Sequence, residues 1–191
     1  VVPTYNGMGN LAHVFNSIER QTYIKNVAQI IVIDDASTLP RKKETYDSLM
    51  QEYSKLPIEV IYQERNGGPA TARNRGIKRA TGDIIFFTDD DCDLPANTFE
   101  LHLAAYGDKP QISGVGGWYQ SLSHIVRKNT IERYVFVRYL HFFGLSMYQS
   151  ASLSSDYFRY FWLFPAGNTA NLSVKRYVFS DILFDEDFIA P

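Results

Sequence analysis

The chain has 191 residues, 45% hydrophobic and 21% charged, with 19 Lys and Arg against 21 Asp and Glu for a formal net charge of -2. That is long enough to bury one full core, and the charge is too balanced to draw a polyanion, so nucleic acid is disfavoured as a partner. The only cysteine, Cys92, rules out an internal disulfide and a zinc site of several thiolates, and no uninterrupted apolar stretch reaches the roughly 18 residues of a spanning helix, so a soluble protein of the cytoplasm is expected.

Val1-Val2 runs as a short strand into the loop Pro3-Thr4-Tyr5-Asn6, after which Leu11, Val14, Phe15 and Ile18 fall at helical spacing. The apolar run Ile30-Ile31-Val32-Ile33 stops abruptly at Asp34-Asp35, as a buried strand does at a polar edge. Thr38 to Leu56 sets Tyr46, Leu49, Met50 and Tyr53 among charged residues and predicts a surface helix, and Ile58 to Tyr62 predicts a third strand. Asn66-Gly67-Gly68-Pro69 reads as a turn and Ala70 to Ala80 as a helix closed by Thr81-Gly82. Ile84-Ile85-Phe86-Phe87 is a fourth strand, and it too ends in acid, at Asp89-Asp90-Asp91. Such alternation predicts an α/β fold with a mainly parallel sheet flanked by helices, whose ligands bind outside the carboxyl ends of the strands. Both acidic clusters stand at that edge. From Tyr134 to Phe164 the composition turns strongly aromatic, which reads as one or two helices with loops.

Consecutive aspartates repel: two like charges ~4 Å apart cost roughly 1 kcal/mol in water and about 4 near a protein surface. A divalent cation removes that cost. In extended backbone residues i and i+2 share a face, so Asp89 and Asp91 can meet one ion while Asp90 points elsewhere, and oxygen-only ligands suit Mg²⁺ or Mn²⁺ held jointly with substrate phosphate. Alone, the triplet serves equally well as a solvated turn ahead of a helix. The second pair, Asp34-Asp35, at another strand end favours a single site. Arg73 and Arg75 suit either bidentate contact with phosphate or a plain helix surface. Gly7-x-Gly9-x-x-Ala12 followed by Asp34 fits the loose dinucleotide fingerprint and makes a dehydrogenase a rival; against it, Pro3-Thr4-Tyr5-Asn6 separates the glycines from the strand, and the aspartate triplet is left without a role.

In their order and spacing these segments resemble the family 2 glycosyltransferases, whose nucleotide-sugar-binding, Rossmann-like fold is called GT-A. Val1-Val2-Pro3-Thr4-Tyr5-Asn6 looks like that family's first strand and loop, and Ile31-Val32-Ile33-Asp34-Asp35-Ala36-Ser37 is similar to the strand whose acids hold the base. Asn66-Gly67-Gly68-Pro69-Ala70-Thr71-Ala72-Arg73-Asn74-Arg75-Gly76-Ile77 resembles the turn and helix beside the nucleotide, and Asp89-x-Asp91 the metal pair. Asn171-Leu172-Ser173-Val174-Lys175-Arg176 and Phe184-Asp185-Glu186-x-Phe188 resemble segments that precede the acceptor-side acid.

The resemblance implies transfer of a sugar from a nucleotide-diphosphate donor, UDP by the family's commonest usage, to a saccharide or lipid-linked acceptor with inversion. It gives Pro3, Thr4, Tyr5, Asp34, Asp35, Asn66, Gly68, Arg73 and Asp90 to the nucleotide and Asp89 and Asp91 to Mg²⁺ or Mn²⁺. It divides the single domain near residue 95 into a nucleotide-binding half and an acceptor-side half. The family's general base follows the Phe-Asp-Glu-x-Phe segment, so the base is expected beyond Pro191 and the chain is expected to be inactive in transfer, with Asp187 the one candidate inside. Trp118, Trp162 and the aromatics between Tyr134 and Phe164 fit core packing or acceptor stacking, and the scattered Arg127, Lys128, Arg133 and Arg138 form no ordered face for a membrane. Membrane association at a cytoplasmic face is expected only through parts of a longer protein. A nucleotide-sugar-binding module without transfer is the rival from another class. A nucleotidyltransferase would want a Gly-rich, Arg-bearing loop where Met8 and Asn10 stand.

Overall fold

The computed structural model describes residues 1–40, 42–117 and 169–187. The aromatic segment from Tyr134 to Phe164, together with Trp118, Arg127, Lys128 and Arg133, lies outside the described residues. So does Pro191, past which the general base is expected, and of the candidates for that base only Asp187 falls within them. In chain order the described elements are β1 (Val2–Thr4), α1 (Leu11–Glu19), β2 (Ile30–Asp34), α2 (Lys42–Glu52), β3 (Ile58–Tyr62), α3 (Gly68–Arg79), β4 (Ile84–Phe87), α4 (Thr98–Tyr106), β5 (Gly114–Gly116) and β6 (Leu172–Lys175).

Every residue of β2 is buried, which is why it reads as an unbroken apolar run: β1 and β3 pair with it in parallel, and helices cover both faces. On one face Ile30 and Val32 meet Leu11, Val14, Phe15 and Ile18 of α1, together with Tyr46 and Leu49 of α2. On the other, Ile31 and Ile33 pack on Ala72 of α3. Val1 joins this ladder to the next strand. Its nitrogen donates to the Phe86 carbonyl at 2.7 Å and its own carbonyl accepts from Thr88 N–H at 3.2 Å, the exchange of a parallel bridge opposite Phe87. The carboxyl ends of β1, β2 and β4 therefore open on one edge.

Beyond β4 the pairing reverses. β6 is antiparallel to both β4 and β5, with Phe87 opposite Leu172 and Val115 opposite Ser173. The expected parallel sheet is present in the first half, and this antiparallel addition comes from a strand far along the chain, which local periodicity does not reveal. Two helices also differ in extent. α3 begins at Gly68 rather than Ala70, because a side chain from the end of β2 caps its first turn, and α2 spans Lys42–Glu52 within the broader helix expected from Thr38 to Leu56, since Pro40 cannot donate inside a helix. No helix among the described residues is long and apolar enough to cross a membrane.

A buried polar chain fastens β6 to α4. Tyr106 and Ser173 hydroxyls lie 3.0 Å apart, Ser173 Oγ lies 2.8 Å from His102 Nδ1, and His102 Nε2 lies 2.9 Å from Asn171 Oδ1. The amide oxygen requires a proton on Nε2, leaving Nδ1 to accept from Ser173 in a neutral ring. Burial lowers the His102 pKa, and its bond to Asn171 opposes this only in part. The unfolded chain takes up a proton as pH falls below about 6.5 while the folded ring resists it, so stability falls with pH in that window. His102→Gln should flatten the difference in urea midpoint between pH 7 and pH 5.5; an unchanged slope would count against the neutral chain.

Candidate nucleotide and metal site

The loops after β1 and β2 are clasped together at the carboxyl edge. Asn6 N–H donates to Ser37 Oγ at 2.8 Å, and Asn6 Oδ1 accepts from Thr38 N–H at 2.8 Å. Asn6 (φ 57°) and Ala36 (φ 59°) both occupy the left-handed region, which costs a residue such as alanine roughly 1–2 kcal/mol. The clasp and the acids beneath it hold that geometry. Pro3 and Thr4 are buried in and beside the sheet, whereas Tyr5 is half exposed at the rim.

Asp34 and Asp35 adopt different roles. Asp34 is fully buried; Oδ1 accepts from Ser37 N–H at 2.8 Å with Lys42 Nζ 3.5 Å away, and Oδ2 accepts from Tyr46 Oη at 2.7 Å. Burial first, and then the Asp34 carboxylate, drive the Tyr46 phenol far above its ordinary range. Asp35 points to the first turn of α3, where Oδ1 accepts from Gly67 N–H and Oδ2 from Gly68 N–H, each at 2.8 Å, and Gln63 Nε2 also donates to Oδ1. It satisfies two donors that a helix start otherwise leaves orphaned. Asn66, exposed in the same turn, accepts from Gly68 N–H at 3.2 Å.

The triplet after β4 divides in a turn, closed by Cys92 N–H on the Asp89 carbonyl at 3.3 Å, rather than in the extended backbone expected. Asp90 tucks back beneath the first loop, where Thr4 Oγ1 donates to Oδ2. Burial raises the Asp90 pKa, the Thr4 bond opposes this, and Asp91 and Asp89 add to the rise. Asp89 Oδ1 accepts from Arg73 Nη2 at 2.7 Å, while Asp91 is exposed and, among the described residues, meets the Cys92 thiol at 3.9 Å. One ligand atom from each of Asp89, Asp91 and Cys92 falls within 4.8 Å of the others, a span that one cation bridges. Burial pushes the Cys92 thiol up and keeps it protonated, so the carboxylates are the effective donors, and hard oxygen donors fit Mg²⁺ or Mn²⁺.

Of the residues expected at the site, Thr4, Asp90, Asp89 and Arg73 are thus linked directly, and Asp35 and Gly68 are joined by the helix cap. Asp34 faces the interior. Asp187 is exposed in a turn, its N–H donating to Asp185 Oδ1 at 3.0 Å. Gly7, which fits a dinucleotide fingerprint in sequence, instead makes room for an acid, since a Cβ there would lie 1.9 Å from Asp90 Oδ2. Lys42, Tyr46 and Gln63 complete the edge, and no local motif marks them.

Fold and edge define an α/β protein of the GT-A class. The family model described as Glycosyl transferase family 2 matches residues 1–167, and the chain belongs to that family. It is similar to the poly(ribitol-phosphate) beta-N-acetylglucosaminyltransferase TarS of Staphylococcus aureus, 34% identical over 92 residues that cover 48% of this chain and 15% of that relative. Among solved structures it resembles S. aureus TarS 1-349 in complex with UDP-GlcNAc, with 28% identity and a TM-score of 0.54 over 62% of this chain and 33% of that one. It also resembles the mannosyltransferase PcManGT of Pyrobaculum calidifontis in complex with GDP-Man and Mn²⁺, with 25% identity and a TM-score of 0.57 over 62% of this chain and 34% of that one. The chain spans well under half the length of these proteins.

Gly7→Ala should displace Asp90 or the first loop and destabilise the fold by about 1–3 kcal/mol, the usual cost of overpacking. Denaturant unfolding measures this. Gly9→Ala, which meets nothing within 4 Å, is the control, and equal behaviour of the two variants would refute the close approach.

Proposed function

We propose that this chain binds the nucleotide diphosphate of a sugar donor at the carboxyl edge with a divalent cation, and serves inverting transfer of the sugar to a saccharide or lipid-linked acceptor. The observation that carries this reading is the division of the triplet. Asp90 is turned into the protein, while Asp89 and Asp91 stay close enough to share an ion. The solved relatives in complex with UDP-GlcNAc, and with GDP-Man and Mn²⁺, support it.

Mg²⁺ or Mn²⁺ would supply charge neutralisation at the diphosphate as the sugar departs. The remaining work belongs to the chain. Tyr5 offers an exposed ring at the rim for the nucleoside, and Pro3, Thr4 and Asp90 fix the loop that carries it. Asp34 and Asp35 hold the nucleoside pocket by fixing its walls, with Asn66 and Gly68 at the capped turn. Arg73 holds Asp89 in place and brings a cation beside the phosphates. UDP is the nucleotide we assign first. A binding module without transfer would share this pocket, and separating the two readings requires a transfer assay with acceptors.

Calorimetry with UDP, GDP and dTDP, in Mn²⁺ and again after chelation, tests the reading. Affinity should fall at least about tenfold on chelation, and Asp91→Asn should reproduce that loss without chelator. Affinity indifferent to the metal would sink the metal role. Asp35→Ala should weaken uridine and UDP by the same factor, because it loosens the wall rather than the phosphate site. A loss confined to UDP would contradict that placement.

A further inference from the structure

Asn74 is 1% exposed and lies in the interior of α3. A buried amide in a helix interior is costly unless each of its groups is satisfied, and α3 does not satisfy this one. Its partners lie more than a hundred residues along the chain. Nδ2 donates to the Phe184 carbonyl and to Glu186 Oε1, both at 2.8 Å, and Oδ1 accepts from Phe184 N–H at 2.9 Å. Both backbone groups of Phe184 are thus held by one side chain.

The neighbouring residue on the helix reaches the metal pair. Arg73 binds Asp89 at 2.7 Å, and its guanidinium carbon lies 6.0 Å from the centre of the Phe184 ring. That ring also meets Phe87, two residues before Asp89, with centroids 5.5 Å apart. Successive side chains of α3 therefore hold the end of β4 and the acid-bearing segment Asp185-Glu186-Asp187 in one arrangement.

We infer that Asn74 is a positioning residue, which pins the Phe184–Asp187 segment to the donor-side helix so that the acceptor side keeps its register with the metal pair. The inference rests on the proposed transfer function. In a transfer reaction a misplacement of about 1 Å costs on the order of 100-fold in rate while leaving binding of the donor nucleotide intact.

The test uses the protein extended past Pro191, where the general base is expected, and its Asn74→Ala and Asn74→Asp variants. Hydrogen exchange at the Phe184 and Asp187 amides, the Kd for UDP with Mn²⁺, and kcat and KM for sugar transfer or donor hydrolysis are measured together. Exchange at Phe184 should accelerate at least about tenfold and kcat should fall by about tenfold or more, with the UDP Kd and donor KM within about twofold of the starting protein. Asn74→Asp sets two carboxylates against each other. Combining it with Glu186→Gln reverses donor and acceptor in that bond and should recover part of both exchange protection and kcat, which a simple loss of fold stability would not do. Unchanged exchange, a UDP affinity that falls in step with kcat, or no recovery in the double variant would each overturn the inference. If the starting protein fails to bind UDP, the functional reading fails instead, while the exchange result still decides whether Asn74 holds the segment.

Discussion

The Asp35 carboxylate leaves the end of β2 and closes on the N–H groups of Gly67 and Gly68 where α3 begins, which anchors the start of that helix. A buried carboxylate loses several kcal/mol of solvation unless donors replace the water. Here the helix start supplies two donors and the favourable end of its dipole, and Gln63 supplies a third. Once the helix is anchored, Gly76 lets it lie directly against Val1, where a Cβ would come within 2.4 Å of the Val1 side chain. Arg73 then meets Asp89 and Asn74 meets Phe184. The cap, the close approach and the two contacts are successive consequences of one placement.

The same logic accounts for the other acids. Asp34 is balanced by Lys42 and two hydrogen-bond donors, Asp90 by Thr4 and a raised pKa, and Asp89 by Arg73. Among the described residues Asp91 meets a weak thiol contact from Cys92 and remains in solvent. Repulsion at this edge is therefore reduced by the protein itself, and least at Asp91.

Much of this was legible in the residues. β2 and β4 are apolar runs that end in acid, whereas the triplet divides through a turn that extended alternation does not describe. What local reading missed depends on distant closure. Asp34 and Asp35 are adjacent and chemically identical, yet one turns toward Tyr46 and the other toward Gly67, and only the positions of α2 and α3 decide which. The start of α3 is displaced by a cap from another strand. The antiparallel β6 pairs with β4 across 85 to 91 residues, and the chain from Tyr106 to Asn171 joins residues 67 to 71 apart, both beyond any periodicity. Gly7 fits a dinucleotide fingerprint in sequence because glycine permits close approach of any partner; here the partner is a carboxylate.

Arg73 is where these constraints meet. Its side chain is 11% exposed, so its charge is poorly solvated and is matched by Asp89, while its buried Nε has no hydrogen-bond partner among the described residues. A guanidinium holds five donors in a rigid plane, and engaging Nη2 with Asp89 fixes where the others point. A cation joining Asp89 would share that carboxylate with Arg73 and weaken its hold on the guanidinium; an arriving diphosphate would restore the balance by adding negative charge to both. Metal and nucleotide are therefore expected to favour each other's binding, each reducing the charge imbalance that the other alone would create beside Arg73.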